Sequence, residues 1–177
     1  MIRGDKVDLR LIKEKDIELL RMWRNAYHDK FFSSDFITKV QQRQWYSKYA
    51  EAGGRDLMFI IQLKDGTPIG SVAIYNIEIT TRTADFGRML IIQEYEGYGY
   101  AKEVVTLCVK FAFETLKLWK LKLSVFLDNA KAIGMYSDCG FRSMTRPVML
   151  MEAINDHGSY TEPMELPNWI EEGEEVA

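Results

Sequence analysis

Residues 84 to 127 change their hydrophobic period twice, and this limits the folds open to the 177-residue chain. Positions 84–92 read as a strand. Glu96-Gly97-Tyr98-Gly99-Tyr100-Ala101 then sets two glycines at a corner. Val104, Val105, Cys108, Phe111, Ala112 and Leu116 follow at helical spacing over 101–116. Leu121, Leu123, Val125 and Leu127 alternate as a second strand. A helix between two strands is a crossover, so the strands are predicted to be parallel neighbours.

The flanking segments complete a mixed sheet. Val7, Leu9 and Leu11 alternate as a half-buried strand. Asp16 precedes Ile17, Leu19, Leu20 and Trp23, the pattern of a capped helix. Thr38-Lys39-Val40-Gln41 has capping-box spacing, so a helix is expected to run to about residue 49 and stop at Gly53-Gly54. Strands over 57–63, 69–77 and 84–92 are joined by links too short for crossovers, which predicts an antiparallel meander. A short helix over 130–138 stops at Gly140, and strands near 141–151 and 160–166 flank a turn at 155–158. The expected fold class is α/β (α+β): a mixed, mostly antiparallel sheet with a βαβ core and helices on both faces. One domain is expected over 1–168, with an acidic tail over 169–177.

Composition excludes several functions. A net charge of -3 offers no general attraction to nucleic acid. No apolar run approaches the ~20 residues of a membrane-spanning helix, and the N-terminus lacks the apolar segment of a secretory signal. A cytoplasmic location, with neither nucleic-acid nor membrane partners, is the expectation. The two cysteines, Cys108 and Cys139, lack CxxC or Cys/His spacing and read as buried thiols on helices. With only His28 and His157, both in expected turns, no metal site is expected.

The chemistry concentrates at two strand-to-helix corners. Gly97 and Gly99 permit positive φ and close backbone approach. The helix opening after them presents free N–H groups and partial positive charge, which suits a pyrophosphate, and Lys102 can add charge. A dinucleotide fingerprint needs a third glycine where Lys102 stands. At the second corner, Asn129 reads as a helix N-cap that retains hydrogen-bonding capacity for a ligand. Tyr136 is either a core aromatic or a general acid beside a leaving thiolate.

These two corners resemble the GNAT N-acetyltransferase superfamily. The family's loop, Q/R-x-x-G-x-G/A, falls on Glu96 to Ala101, with Glu96 as the one departure. Its later motif, N-x-x-A-x-x-x-Y-x-x-x-G-F, is matched at Asn129, Ala132, Tyr136, Gly140 and Phe141. The resemblance covers roughly residues 5 to 166. It is closest in style to the branch containing ribosomal-protein N-terminal and spermidine acetyltransferases.

The resemblance implies an acetyl-CoA-dependent N-acetyltransferase that passes the acetyl group directly to a primary amine of a small molecule or a protein N-terminus. It implies that backbone amides of Gly97, Tyr98, Gly99, Tyr100 and Ala101 hold the pyrophosphate, with Glu96 turned to solvent. Met89 and Ile91 would pair with the pantetheine arm, Asn129 would contact it, and Tyr136 would protonate the CoA thiolate. Asp85, in Ala84-Asp85-Phe86-Gly87, is the first candidate for the base or a water relay, and Glu78 the second. For the acceptor, Arg24 and Asn25 offer polar contacts, while Trp45 and Tyr75 offer ring surface. Packing of a helix end on the core explains the same residues. A nucleotide-amino-sugar acetyltransferase and a non-catalytic acyl-CoA-binding module are the alternatives. A homodimer is a family-level expectation.

Overall fold

The computed structural model describes residues 1–145 and 149–154. The expected strand near 160–166, the turn at 155–158 and the acidic tail lie outside the described residues. Among the described residues, eight strands form one sheet, in the order β1-β2-β3-β4-β5-β6-β8-β7. They are β1 (Ile2–Arg3), β2 (Val7–Leu11), β3 (Leu57–Leu63), β4 (Pro68–Glu78), β5 (Thr83–Ile91), β6 (Lys120–Val125), β7 (Arg142–Thr145) and β8 (Met149–Ile154). The helices are α1 (Ile17–Ala26), α2 (Lys39–Glu51), α3 (Tyr100–Lys110) and α4 (Ala130–Asp138). The expected meander is present as antiparallel β3, β4 and β5, and β5 and β6 are parallel neighbours.

Both faces of the central sheet are covered, which is why β3 reads Leu-Met-Phe-Ile-Ile rather than alternating apolar with polar. Leu57, Phe59 and Ile61 enter the larger core with Val72, Phe86, Val104, Val105 and Leu121, beneath α3 and α4. Met58 and Ile60 enter a smaller core with Ala73 and Leu20, beneath α1 and α2. On β6 only Leu121, Leu123 and Val125 are buried, so its pattern does alternate. Cys108 is fully buried in α3, whereas Cys139 lies half-buried at the end of α4.

Two helix starts separate here. The Thr38 box forms as expected: the Gln41 amide donates to Thr38 Oγ1 at 3.2 Å, and the Gln41 side chain accepts from the Thr38 amide at 2.9 Å. Asp16 does not cap α1. Its carboxylate accepts from the Lys13 amide at 2.8 Å and from both Arg10 terminal nitrogens at 2.7 and 2.9 Å. A buried carboxylate takes the guanidinium that can neutralise it, and α1 opens without a side-chain cap. Burial alone would raise the Asp16 carboxyl, but the Arg10 interaction, the Lys13 hydrogen bond and the nearby Lys15 charge together hold it below the usual carboxylate range.

The segment 141–151, expected as one strand, is divided into β7 and β8, which pair with each other antiparallel. The expected helix over 101–116 also changes character, because Phe111–Thr115 is a π turn in which the Leu116 amide donates to Phe111 O at 3.0 Å.

Gly70 fixes how closely β4 and β5 approach. A Cβ at Gly70 would fall on the carbonyl oxygen of Leu90 and stand 3.1 Å from Ile91 Cα, both of them backbone atoms. Gly70→Ala is expected to destabilise the protein by about 3 kcal/mol, the upper end for overpacking a tight site. Urea unfolding checks this, and an unchanged midpoint would contradict the strand spacing described here.

Candidate active site

The glycine corner has the backbone that its sequence requires. Gly97 and Gly99 sit at φ +88° and +82°, in the left-handed region, and Gly99 is the N-cap of α3. No atom lies within 4 Å of a Cβ built on Gly97, so conformation selects glycine there rather than space. The corner is pinned from the first turn of the chain. Lys6 Nζ donates to Tyr98 O at 3.2 Å, and the Lys6 amide donates to Glu103 Oε1 at 2.8 Å. Tyr98 and Tyr100 stack at 5.7 Å. Glu96 is not simply turned to solvent: Lys30 Nζ holds its carboxylate at 2.6 Å. Lys102 is engaged too, with Asp138 at 2.9 Å, and that hydrogen bond raises its pKa.

Beside the corner, β5 parts from β6. The two strands pair only as Thr83↔Lys120, Ala84↔Leu121 and Asp85↔Lys122. From Phe86 to Ile91, β5 has no partner on that edge among the described residues. A bulge explains the divergence. The β4 register shifts between Ser71 and Ala73, with Arg88 at φ +49° on β5, and a bulge bends and twists the strand that carries it. The Ile92 amide donates to Ile69 O at 3.0 Å, toward β4. By alternation the amides of Ile91 and Met89 face the open edge.

The second corner approaches from the α3/α4 face. Asn129 caps α4, accepting from the Ala132 amide at 3.1 Å through Oδ1. Its Nδ2 makes no hydrogen bond among the described residues. Tyr136 packs edge-on against Phe86 and Phe141, at 6.1 and 5.9 Å between ring centroids. Burial pushes its phenol up to about 12.

Asp85 lies on the opposite face of β5 from Phe86 and Tyr136, at the last paired position before the strands diverge. Asn76 Nδ2 donates to it at 2.8 Å and Lys122 Nζ lies 3.4 Å away. Glu78 is exposed at the far end of β4. On the Asp85 face, Tyr75 places its hydroxyl 3.1 Å from where a Cβ on Gly87 would stand. The Arg88 guanidinium lies 4.3 Å from the Tyr75 ring centroid and 5.9 Å from that of Trp45. Arg88 Nη1 also bonds both Asp56 oxygens, at 2.7 and 2.8 Å. Trp45 stacks on Tyr49, whose phenol burial pushes up to about 12.

The Arg24-Asn25 pair divides by role. Asn25 spends both ends of its amide on Ile37, donating to its carbonyl at 2.9 Å and accepting from its amide at 2.8 Å. It therefore fixes the loop between α1 and α2. Arg24 lies 3.9 Å above the Phe31 ring and donates through Nη2 to Ser33 O.

The structure thus joins Met89, Ile91 and residues 96–101 at one corner, with Asn129 and Tyr136 on the same side of the sheet. Asp85, Tyr75 and Trp45 lie on the other side. The sequence gives no sign of Arg88, because its place depends on the bulge. Nor does it show Tyr27, whose Oη accepts from the Gln93 amide at 3.0 Å, or Lys30, because both act across about 66 residues of chain.

Comparison with known proteins agrees with the fold. Residues 6–142 match the family model described as an acetyltransferase (GNAT) domain. A spermidine N(1)-acetyltransferase of Vibrio cholerae is 24% identical over 140 residues, 78% of this chain and 80% of that protein. The Escherichia coli K12 spermidine N(1)-acetyltransferase is 29% identical over 139 residues, 77% of this chain and 69% of that protein. The crystal structure of a Vibrio cholerae spermidine N-acetyltransferase with CoA and spermine superposes with a TM-score of 0.79 at 21% identity, covering 85% of this chain and 96% of that one, a likeness of fold. With its family model spanning most of its length, the chain belongs to the GNAT family and is an N-acetyltransferase, of a family that uses acetyl-CoA.

Proposed function

We propose that the gap between β5 and β6 is where acetyl-CoA and the amine meet. A closed sheet separates its two faces, whereas a divergence of two strands lets a group on one face reach a group on the other. The observation that carries this reading is the loss of β5–β6 pairing after Asp85. The thioester arm lies along the free edge of β5, accepting from the amides of Met89 and Ile91 in place of the missing strand. The pyrophosphate rests on the amides of residues 97–101, where glycine backbone and helix N-terminus coincide. Asn129 Nδ2 adds a donor to the arm. Glu96, held by Lys30, presents a compensated charge to the phosphates. Lys102 contributes only through its long-range field while Asp138 holds it.

The amine arrives from the α1/α2 face, past Trp45 and Tyr75. It attacks the thioester carbon while an amide near Ile91 donates to the developing oxyanion. Asp85, at the base of the gap, accepts the amine proton directly or through water. Tyr136 protonates the departing thiolate. A phenol at about 12 is a weak acid, but the burial that raises it also makes a neighbouring thiolate more basic. Burial shifts the Cys108 thiol upward in the same way.

The acceptor is a small molecule or a protein N-terminus. Among relatives, spermidine N(1)-acetyltransferases support the former and a putative ribosomal N-acetyltransferase of Bacillus subtilis the latter. Self-association is expected, since a Vibrio cholerae relative is described as dodecameric.

Thiol release from acetyl-CoA across a panel of amines tests the reading. Tyr136→Phe is expected to lower turnover about 100-fold, the lower end for loss of a general acid, with little change in CoA affinity. Unimpaired turnover would exclude Tyr136 as the proton donor.

The same phenol predicts a stability change at high pH. An unfolded tyrosine ionises near 10, whereas folded Tyr136 holds its proton to about 12. Between these values the unfolded chain binds fewer protons, so stability falls as pH rises from about 10 to about 12. In urea unfolding, Tyr136→Phe is expected to flatten that decline relative to wild type. Equal slopes would contradict a buried phenol.

A further inference from the structure

Two buried nitrogens at the end of α1, Arg24 Nη1 and His28 Nδ1, have no hydrogen-bond partner among the described residues. Such atoms are uncommon in folded proteins because an unmet buried donor costs stability. They stand four residues apart at the end of α1, where the chain leaves the helical path at Tyr27 (φ −116°, ψ 33°). Each packs against a ring of the loop that follows. Arg24 lies 3.9 Å over Phe31, and the His28 ring lies 5.0 Å from Phe36. Desolvation lowers the Arg24 pKa, with Asp35 acting against it. Asp35 accepts from Ser33 Oγ at 3.2 Å and makes no bond to Arg24.

A desolvated guanidinium with a free N–H is matched best by an oxygen that carries negative charge. Two carboxylates on the α1/α2 side of the sheet are already engaged. Asp56 is taken by Arg88, and Asp85 by Lys122 and Asn76. We propose that Arg24 and His28 form an oxyanion subsite for the acceptor, taking a carboxylate or phosphate oxygen on the molecule that bears the reactive amine. A pure polycation would leave both nitrogens unmatched. The assignment to the acceptor rests on the acetyltransferase reading above, whereas anion binding at these two nitrogens does not.

Inorganic phosphate tests the subsite on the full chain. Histidine side-chain resonances are read by NMR, which is clean because the chain has only His28 and His157. His157→Gln assigns the pair. Phosphate is expected to move the His28 signal saturably, with saturating CoA present or absent. Arg24→Gln is expected to weaken that binding at least about tenfold, the loss of one charge-assisted bond. Arg24→Lys keeps the charge without the planar donors and gives the same reading if the first variant does not fold. No saturable movement of His28 would overturn the subsite and assign both nitrogens to water. Movement abolished by CoA would overturn the acceptor assignment and give the subsite to a cofactor phosphate. Thiol release is measured separately, so phosphate binding without acetyl transfer would count against the catalytic reading while leaving the anion site intact.

Discussion

Three residue pairs hold β5 to β6, and the site depends on their being so few. Parallel strands joined through a helix can pair along their whole length when nothing bends them. Here the bulge at Arg88 turns the upper half of β5 away while its other edge stays bonded to β4, with Gly70 opposite Ile91. Amide groups at Met89 and Ile91 therefore lack a strand partner among the described residues. Backbone donors in that position need water or a ligand. The glycine corner follows directly, so the free edge leads into the start of α3 at Gly99.

The segment between α1 and α2 ties the two faces together. Tyr27 bonds the Gln93 amide, Lys30 holds Glu96, and Phe32 packs at a tilt against Phe126, 4.3 Å between ring centroids. The first two contacts lie beside the glycine corner, and the third lies beyond β6, before Asn129. One stretch of chain between α1 and α2 thus touches both strand-to-helix corners. Asn25, with both ends of its amide on Ile37, keeps that stretch from moving freely. Glu96, the one departure from the family motif, is explained by the same contact: its carboxylate anchors Lys30.

The two strand-to-helix corners were legible in the sequence because they are built from local rules. Positive-φ glycines before a helix, an asparagine cap and a closing Gly-Phe pair each announce themselves within a few residues. The Thr38 box did so as well. Asp16 misled because its partner, Arg10, lies outside the helix it precedes, and side-chain rules for caps ignore such competitors. The division of 141–151 into two strands was hidden because a run of strand-forming residues does not show where the chain reverses. The α1/α2 face was the least legible. Arg88 reaches Trp45 and Tyr75 only because the strand bulges, and Arg24 and His28 take their ring partners, Phe31 and Phe36, from the loop after the helix.

Amide hydrogen exchange with and without CoA tests the central claim, that the divergence of β5 from β6 holds the cofactor. The amides of Met89, Ile91 and residues 97–101 are predicted to become protected when CoA binds, while those of β3 stay as they were. CoA binding that left Met89, Ile91 and the glycine corner exchanging at their unliganded rates would contradict it.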